Sequence, residues 1–185
     1  MWSEKYRPQS ISDMVGNEEP RASIIEWFAK WKKGTKPLLI VGPPGIGKTT
    51  IAYLLAKKFD YDMIGLNASD VRSKSRINEI LTPVLGNVSV LGTPMIFVDE
   101  VDGIHGRGDY GGAAALVDIL KKSNIPILLA ANYDDSDKMK SIKKTVTTIS
   151  FKKIPPRLLR VYLDNILQKE NEKLSPGSLI KVIDK

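Results

Sequence analysis

The stretch Gly42-Pro43-Pro44-Gly45-Ile46-Gly47-Lys48-Thr49, with Thr50 behind it, sets two glycines five positions apart ahead of a lysine and a hydroxyl side chain. That spacing suits a loop whose backbone N–H groups curl around phosphate oxygens at the start of a helix. Lys48 would then reach the β- and γ-phosphates, and the Thr49 hydroxyl would hold Mg²⁺. A second constellation is the apolar run Met95–Val98 ending in Asp99 and Glu100. At the tip of a buried strand Asp99 can bind the metal through water, and Glu100 can polarise an attacking water. Paired acids after a strand are common as caps of a following helix, and it is the phosphate loop upstream that promotes this pair. A third run, Ile127–Ala131, ends in Asn132, whose side chain can hydrogen-bond a γ-phosphate or the water. Asparagine at such a place is otherwise a turn residue. The chemistry implied is nucleoside triphosphate hydrolysis, with Lys48, Glu100 and Asn132 as the catalytic set and Thr49 and Asp99 as the metal set.

These residues need strands that end together. Leu38–Val41, Met63–Leu66, Met95–Val98, Ile127–Ala131 and Val146–Phe151 read as five short strands, separated by segments that can be helical. Strands alternating with helices predict a parallel sheet covered on both faces. Glu18–Lys33 carries Ile24, Trp27, Phe28 and Trp31 at helical spacing, which predicts a helix ending at Gly34 with Trp27 and Trp31 in the core. A helix is expected from about Lys48 to Phe59. After Phe151, Pro155-Pro156 opens a helical pattern through Leu158, Leu159, Tyr162, Leu163 and Ile166, and Ser175-Pro176-Gly177-Ser178 starts another. The division expected is 1–152 for the sheet domain and 153–185 for the beginning of a helical one.

Composition bounds the rest. At 42% hydrophobic and 26% charged, the 185 residues read as a soluble globular protein. No apolar run reaches the roughly 18 residues of a membrane span, and Met1–Pro8 lacks the apolar core of a signal peptide, so a cytoplasmic location is expected. Zero cysteines exclude disulfides and thiol chemistry. The single histidine, His105, falls in the Gly- and Asp-rich stretch Asp102–Gly112, read as a solvated loop, and no zinc site can be assembled. Between Lys138 and Lys173 there are ten Lys or Arg against three Asp or Glu, a surplus equal to the whole net charge of +7. Such clustering suits a polyanion or an acidic partner, or a solvated face.

With these motifs in place, the chain resembles the AAA+ ATPases of the replication factor C family, the clamp loaders of DNA replication, and within them the archaeal large subunits. Glu4-Lys-Tyr-Arg-Pro8 with Val15-Gly16 resembles the family's adenine-side signature, which implies that Tyr6, Arg7, Val15 and Gly16 lie near the base. Asn67-Ala-Ser-Asp70 resembles another family box, and Asp99-Glu-Val-Asp-Gly103 is closer to large subunits than to small ones. The resemblance implies an α/β fold with sheet order 5-1-4-3-2, a helical lid, ATP with Mg²⁺, small-subunit partners, a ring-shaped sliding clamp and primed DNA. Arg72, Lys74 and Arg76 follow Asn67–Asp70 at alternate positions near a helix start and are expected to face DNA, the other reading being a solvated basic turn. The resemblance further implies that Leu116, Ile119 and Leu120 present part of the clamp-facing surface, although apolar residues at this spacing are more often core. Where small subunits carry Ser-Arg-Cys, the Arg reaching a neighbour's ATP site, this chain has Lys144-Thr145-Val146. The lid arginine of the family would lie beyond Lys185, so the sequence reads as the N-terminal part of a longer protein with weak ATPase activity by itself. Two other readings stay open: an ATP-gated scaffold without turnover, and another DNA-acting AAA+ ATPase.

Overall fold

A computed structural model describes residues 1–67, 73–86, 92–104, 111–133 and 135–183. The elements run α1 (Trp2–Lys5), α2 (Glu18–Ala29), β1 (Leu38–Val41), α3 (Lys48–Lys58), β2 (Tyr61–Asn67), α4 (Lys74–Gly86), β3 (Thr93–Asp99), α5 (Gly112–Lys122), β4 (Ile127–Ala131), α6 (Asp137–Lys143), β5 (Thr147–Ser150), α7 (Pro156–Glu170) and α8 (Pro176–Ile183). Short 3₁₀ turns occupy Ile11–Asp13 and Val101–Gly103.

The five strands form one parallel sheet in the order β2-β3-β4-β1-β5, the expected order read from its other edge. Position in the sheet explains the sequence patterns. β1 and β4 are buried throughout and are written as unbroken apolar runs, because helices cover both of their faces. The edge strands β2 and β5 are only partly buried and carry Asp62, Thr147 and Ser150.

Alternation along the strands sends side chains to two separate cores. Leu39, Val41, Ile96, Val98, Leu129 and Ala131 pack under α4, α5 and α6, against Ile77, Leu81, Leu116, Leu120, Met139 and Ile142. Leu38, Ile40, Met95, Phe97, Leu128 and Ala130 pack under α2 and α3, against Ile24, Phe28, Ile51 and Leu55.

Two expectations are corrected here. Leu116 and Leu120 are core residues, 1% and 3% exposed, because the apolar stripe of α5 is needed to cover β3 and β4 on that face. They present no surface to a clamp, and Ile119 alone of the three keeps partial exposure. The helix over Glu18–Lys33 stops at Ala29, with Lys30 as its C-cap, and its core residues are Ile24 and Phe28. Trp27 and Trp31 are half-buried; Trp27 lies edge-on to Phe28 and its indole N–H donates to the Lys36 carbonyl at 3.1 Å. An indole needs a partner for that N–H, which a fully apolar site does not offer.

Register brings the site residues together. Val41 pairs with Ala131, Val98 with Leu129 and Asn67 with Asp99, and the Gly42 N–H extends the ladder to the Ala131 carbonyl at 3.1 Å. The carboxyl ends of β1, β3 and β4 therefore lie side by side. The chain leaves β1 toward β2 on one flank and reaches β5 on the other, the kind of switch point where open parallel sheets bind ligands.

Candidate functional site at the carboxyl ends of the strands

The loop leaving β1 begins at Gly42, where the strand runs hard against the segment after β5. A Cβ there would sit 2.5 Å from the Phe151 carbonyl oxygen, so no other residue fits without moving backbone. The loop closes at Gly47, which takes φ +91° as the N-cap of α3. The first intrahelical bond of α3 runs from the Ile51 N–H to the Gly47 carbonyl, leaving the preceding N–H groups at the helix start free to meet an anion.

Lys48 points back into this loop and is 7% exposed. Its ammonium donates to the carbonyls of Gly42 and Pro43 and to Asn132 Oδ1, each at 2.8 Å. All of its donors are thereby engaged. Burial pushes the Lys48 pKa below its ordinary value, and the charges of Asp99, Asp102 and Glu100 oppose that shift. The Thr49 hydroxyl donates to Asp99 Oδ2 at 2.6 Å, and the Glu100 N–H donates to Asp99 Oδ1 at 2.9 Å. Glu100 itself has φ +52°, a left-handed conformation that costs a non-glycine residue about 1–3 kcal/mol and recurs where a side chain must be aimed.

Pro44, Gly45, Gly47, Lys48, Thr49, Thr50, Asp99, Glu100 and Asn132 line one cleft of about 260 Å³. The catalytic and metal residues expected from the sequence are thus brought into one place. Among the described residues no cluster of three His, Cys, Asp or Glu side chains forms a metal cage. Thr49 and Asp99 offer two hard oxygen donors instead. That sparse set fits Mg²⁺, which keeps several waters and takes its remaining ligands from phosphates.

A second cavity of about 210 Å³ shares Gly45, Gly47 and Thr50 with the first and continues it on the other side of the loop. Its wall is mostly apolar: Pro8, Met14, Val15, Ile46, Ile154, Leu159 and Tyr162, with Asp13. A planar base fits such a slot, and a polar phosphate chain fits its neighbour. The sequence pointed to Val15 but missed Pro8, Met14, Ile154, Leu159 and Tyr162; the only signal for the last two was helical spacing. Gly16 lies behind the slot, where a Cβ would meet Ile154 at 3.5 Å. Tyr6 and Arg7 stand beside this slot rather than in its wall: the Tyr6 carbonyl accepts from the slot residue Tyr162 at 2.8 Å, and Arg7 precedes Pro8. The Tyr6 hydroxyl donates to Glu170 at 2.6 Å, and Arg7 pairs with Glu4 at 3.0 Å on the surface. Another cavity, about 630 Å³ between α2 and α3, contains none of the motif residues.

Of the residues expected to face DNA, Lys74 and Arg76 are exposed at the start of α4, and Arg76 pairs with Glu79 at 3.0 Å. Arg72 lies outside the described residues, as do Ala68, Ser69 and Asp70 of the box and the loop of His105.

Comparison with known proteins agrees with this geometry. Curated relatives named replication factor C large subunit include one from Thermofilum pendens, 42% identical over 99% of this chain and 46% of its own length. Another, from Methanosphaera stadtmanae, is 41% identical over 92% of this chain and 33% of its own. The chain spans less than half the length of these relatives. Among solved structures, a point mutant of RuvB from Thermotoga maritima superposes with a TM-score of 0.66 over 95% of this chain and 58% of its own, at 14% identity, and so shares the fold. Residues 38–170, from the first strand of the sheet to the end of α7, match the family described as ATPases associated with various cellular activities, and the chain belongs to that AAA family.

Proposed function

We propose that this chain is the ATP-binding and ATP-hydrolysing part of a clamp-loader large subunit, which works with small subunits to open a sliding clamp and load it onto primed DNA. The observation that carries this reading is the Lys48–Asn132 and Thr49–Asp99 pairing beside an apolar slot. Together they form a cleft charged for a triphosphate at one end and shaped for a base at the other. The similarity to replication factor C large subunits supplies the choice of clamp loading over other AAA activities.

In this reading Lys48 exchanges its carbonyl partners for phosphate oxygens, replacing neutral acceptors with charged ones. Thr49 and Asp99 would hold Mg²⁺, which would supply neutralising charge to the phosphates. Glu100 takes up a proton from water held at the cleft mouth, and Asn132 orients the terminal phosphate. The helices α7 and α8 begin the lid, and α7 already closes one side of the base slot. Thr145 spends its hydroxyl on the Ile142 carbonyl at 2.7 Å and carries no charge, so this position supplies no arginine to a neighbour's site. Exposed Lys74 and Arg76 are available to DNA phosphates.

The test is a calorimetric titration of parent and Lys48→Ala with ATPγS, together with clamp capture by the full-length protein and small subunits. The parent binds, the variant shows no measurable heat, and capture requires ATP. Undiminished affinity of Lys48→Ala removes the site assignment, and ATP-independent capture removes the loader reading.

A further inference from the structure

Asp102 has no part in the chemistry above, yet it is placed where a carboxylate is costly. It sits in the 3₁₀ turn Val101–Gly103, two residues after Glu100 in sequence but turned inward, and is only 8% exposed. An aspartate at the start of such a turn ordinarily caps its own N–H groups. Here the carboxylate reaches instead across the sheet's end, and Oδ2 accepts the backbone N–H of Tyr133 at 3.3 Å. Oδ1 is buried with no hydrogen-bond partner. A buried, half-satisfied carboxylate would be selected against if a smaller or apolar side chain served equally well.

Its contact falls on the peptide that follows Asn132. Asn132 stands just past the last residue of β4, so ladder bonds fix the chain up to Ala131 and no further. Tyr133 is 67% exposed, and among the described residues its backbone N–H on Asp102 is the bond that holds the chain just past Asn132. Lys48 Nζ meets Asn132 Oδ1 only if that turn is held. With Oδ1 so engaged, the carboxamide retains two N–H donors, the type of group a terminal phosphate accepts.

We propose that Asp102 is a positioning residue for Asn132: by accepting the Tyr133 N–H it fixes the turn after β4, so that the Asn132 carboxamide distinguishes a triphosphate from a diphosphate. The inference rests on the ATP reading above and adds to it the residue that sets γ-phosphate discrimination.

The experiment is a calorimetric comparison of ATPγS with ADP on the parent, Asp102→Ala, Asp102→Asn, Asn132→Ala and the double variant Asn132→Ala/Asp102→Ala. Asp102→Ala is expected to cut the preference for ATPγS about tenfold, the scale of one hydrogen bond to a charged group. Its ADP affinity stays within about twofold of the parent. Asp102→Asn keeps an acceptor oxygen and retains the preference. In the Asn132→Ala background, Asp102→Ala adds nothing further. Equal losses for both nucleotides or an unchanged preference in Asp102→Ala, or an additional loss in the double variant, overturns the proposal. Should Asp102→Ala lose its cooperative melting transition, Asp102→Asn decides alone: retained preference supports the proposal, and a tenfold loss overturns it. A parent that binds neither nucleotide refutes the ATP reading itself.

Discussion

On the ATP reading proposed above, the cleft has a phosphate half and a base half, built by opposite strategies. The phosphate half is polar, its hydrogen bonds are short, and its residues sit either at or just past the carboxyl ends of strands whose register is fixed by the ladder or at the start of α3, which the loop after β1 leads into. The base half is apolar and is assembled from three segments distant in sequence: the strap Pro8–Val15, the loop after β1, and Ile154 with α7. A hydrogen-bonded network anchored on a sheet transmits any change directly to the reacting atoms. A slot formed by packing can lose one wall contact and still hold a base. Substitutions in the first half should therefore act on rate and on phosphate recognition, and those in the second on overall affinity alone.

The largest separation is expected from Glu100→Gln. In the full complex with small subunits, it should lower turnover about 10²–10⁴-fold, the usual contribution of a positioned base. Affinity for ATP should be unchanged, since the Glu100 bond within the site is made by its backbone N–H. Single-turnover hydrolysis with a parallel binding titration reads both quantities. A matching loss of affinity would mean that Glu100 holds ligand rather than acting on water.

For the base half, Ile154→Ala removes a wall residue that also packs on Gly16. Burial of that side chain against a base is worth a factor of about ten. ATP and ADP should weaken by the same factor, while tripolyphosphate, which has no base, should bind as it does to the parent. Weakened tripolyphosphate binding would show that the halves are not separable.

The same contrast explains what could be seen in the sequence. The phosphate half was legible because its residues are contiguous or end unbroken apolar runs, and β1 and β4 matched those runs to the residue. Edge strand β2 extends past its apolar part, from Tyr61 to Asn67, because pairing with β3 continues where side-chain burial does not. The base half carries no local signature: Val15 and Ile154 face one slot across most of the chain, and nothing in their spacing says so. Tyr6 and Arg7 were placed by family likeness; they flank the slot, with the Tyr6 hydroxyl on Glu170 of α7 and Arg7 paired with Glu4 at the surface. The stripe Leu116, Ile119 and Leu120 has the period of either a core or a docking face, and only the two-layer packing over β3 and β4 decides between them.

The smallest effect expected lies where the base half is tied shut. Glu170 at the end of α7 accepts from Lys5 Nζ and from the Tyr6 hydroxyl, both at 2.6 Å, while the Tyr162 hydroxyl donates to the Tyr6 carbonyl at 2.8 Å and its ring lines the slot. This clasp fastens the strap to α7 without touching a phosphate residue, and Lys169 adds a second cation over the Tyr6 ring at 5.8 Å. The Lys5 and Tyr6 hydrogen bonds hold the Glu170 carboxyl below its ordinary value of 4.5, and Glu170 in turn raises Lys5 above 10.5. The sign follows from those directions. A depressed carboxyl stabilises the fold above its unfolded pKa and loses that contribution as pH falls through its folded one. A raised lysine stabilises below 10.5 and loses its share as pH rises through the folded value. Glu170→Gln keeps an acceptor but removes the charge, so its melting temperature should lie below the parent's at pH 7, and the difference should shrink as pH falls below 4.5 and through the lowered folded value. At neutral pH its affinity for ATP and for ADP should fall together by about twofold, the scale of an exposed ion pair. A loss confined to ATP would place the clasp in communication with the phosphate half, and the independence of the two halves would have to be given up.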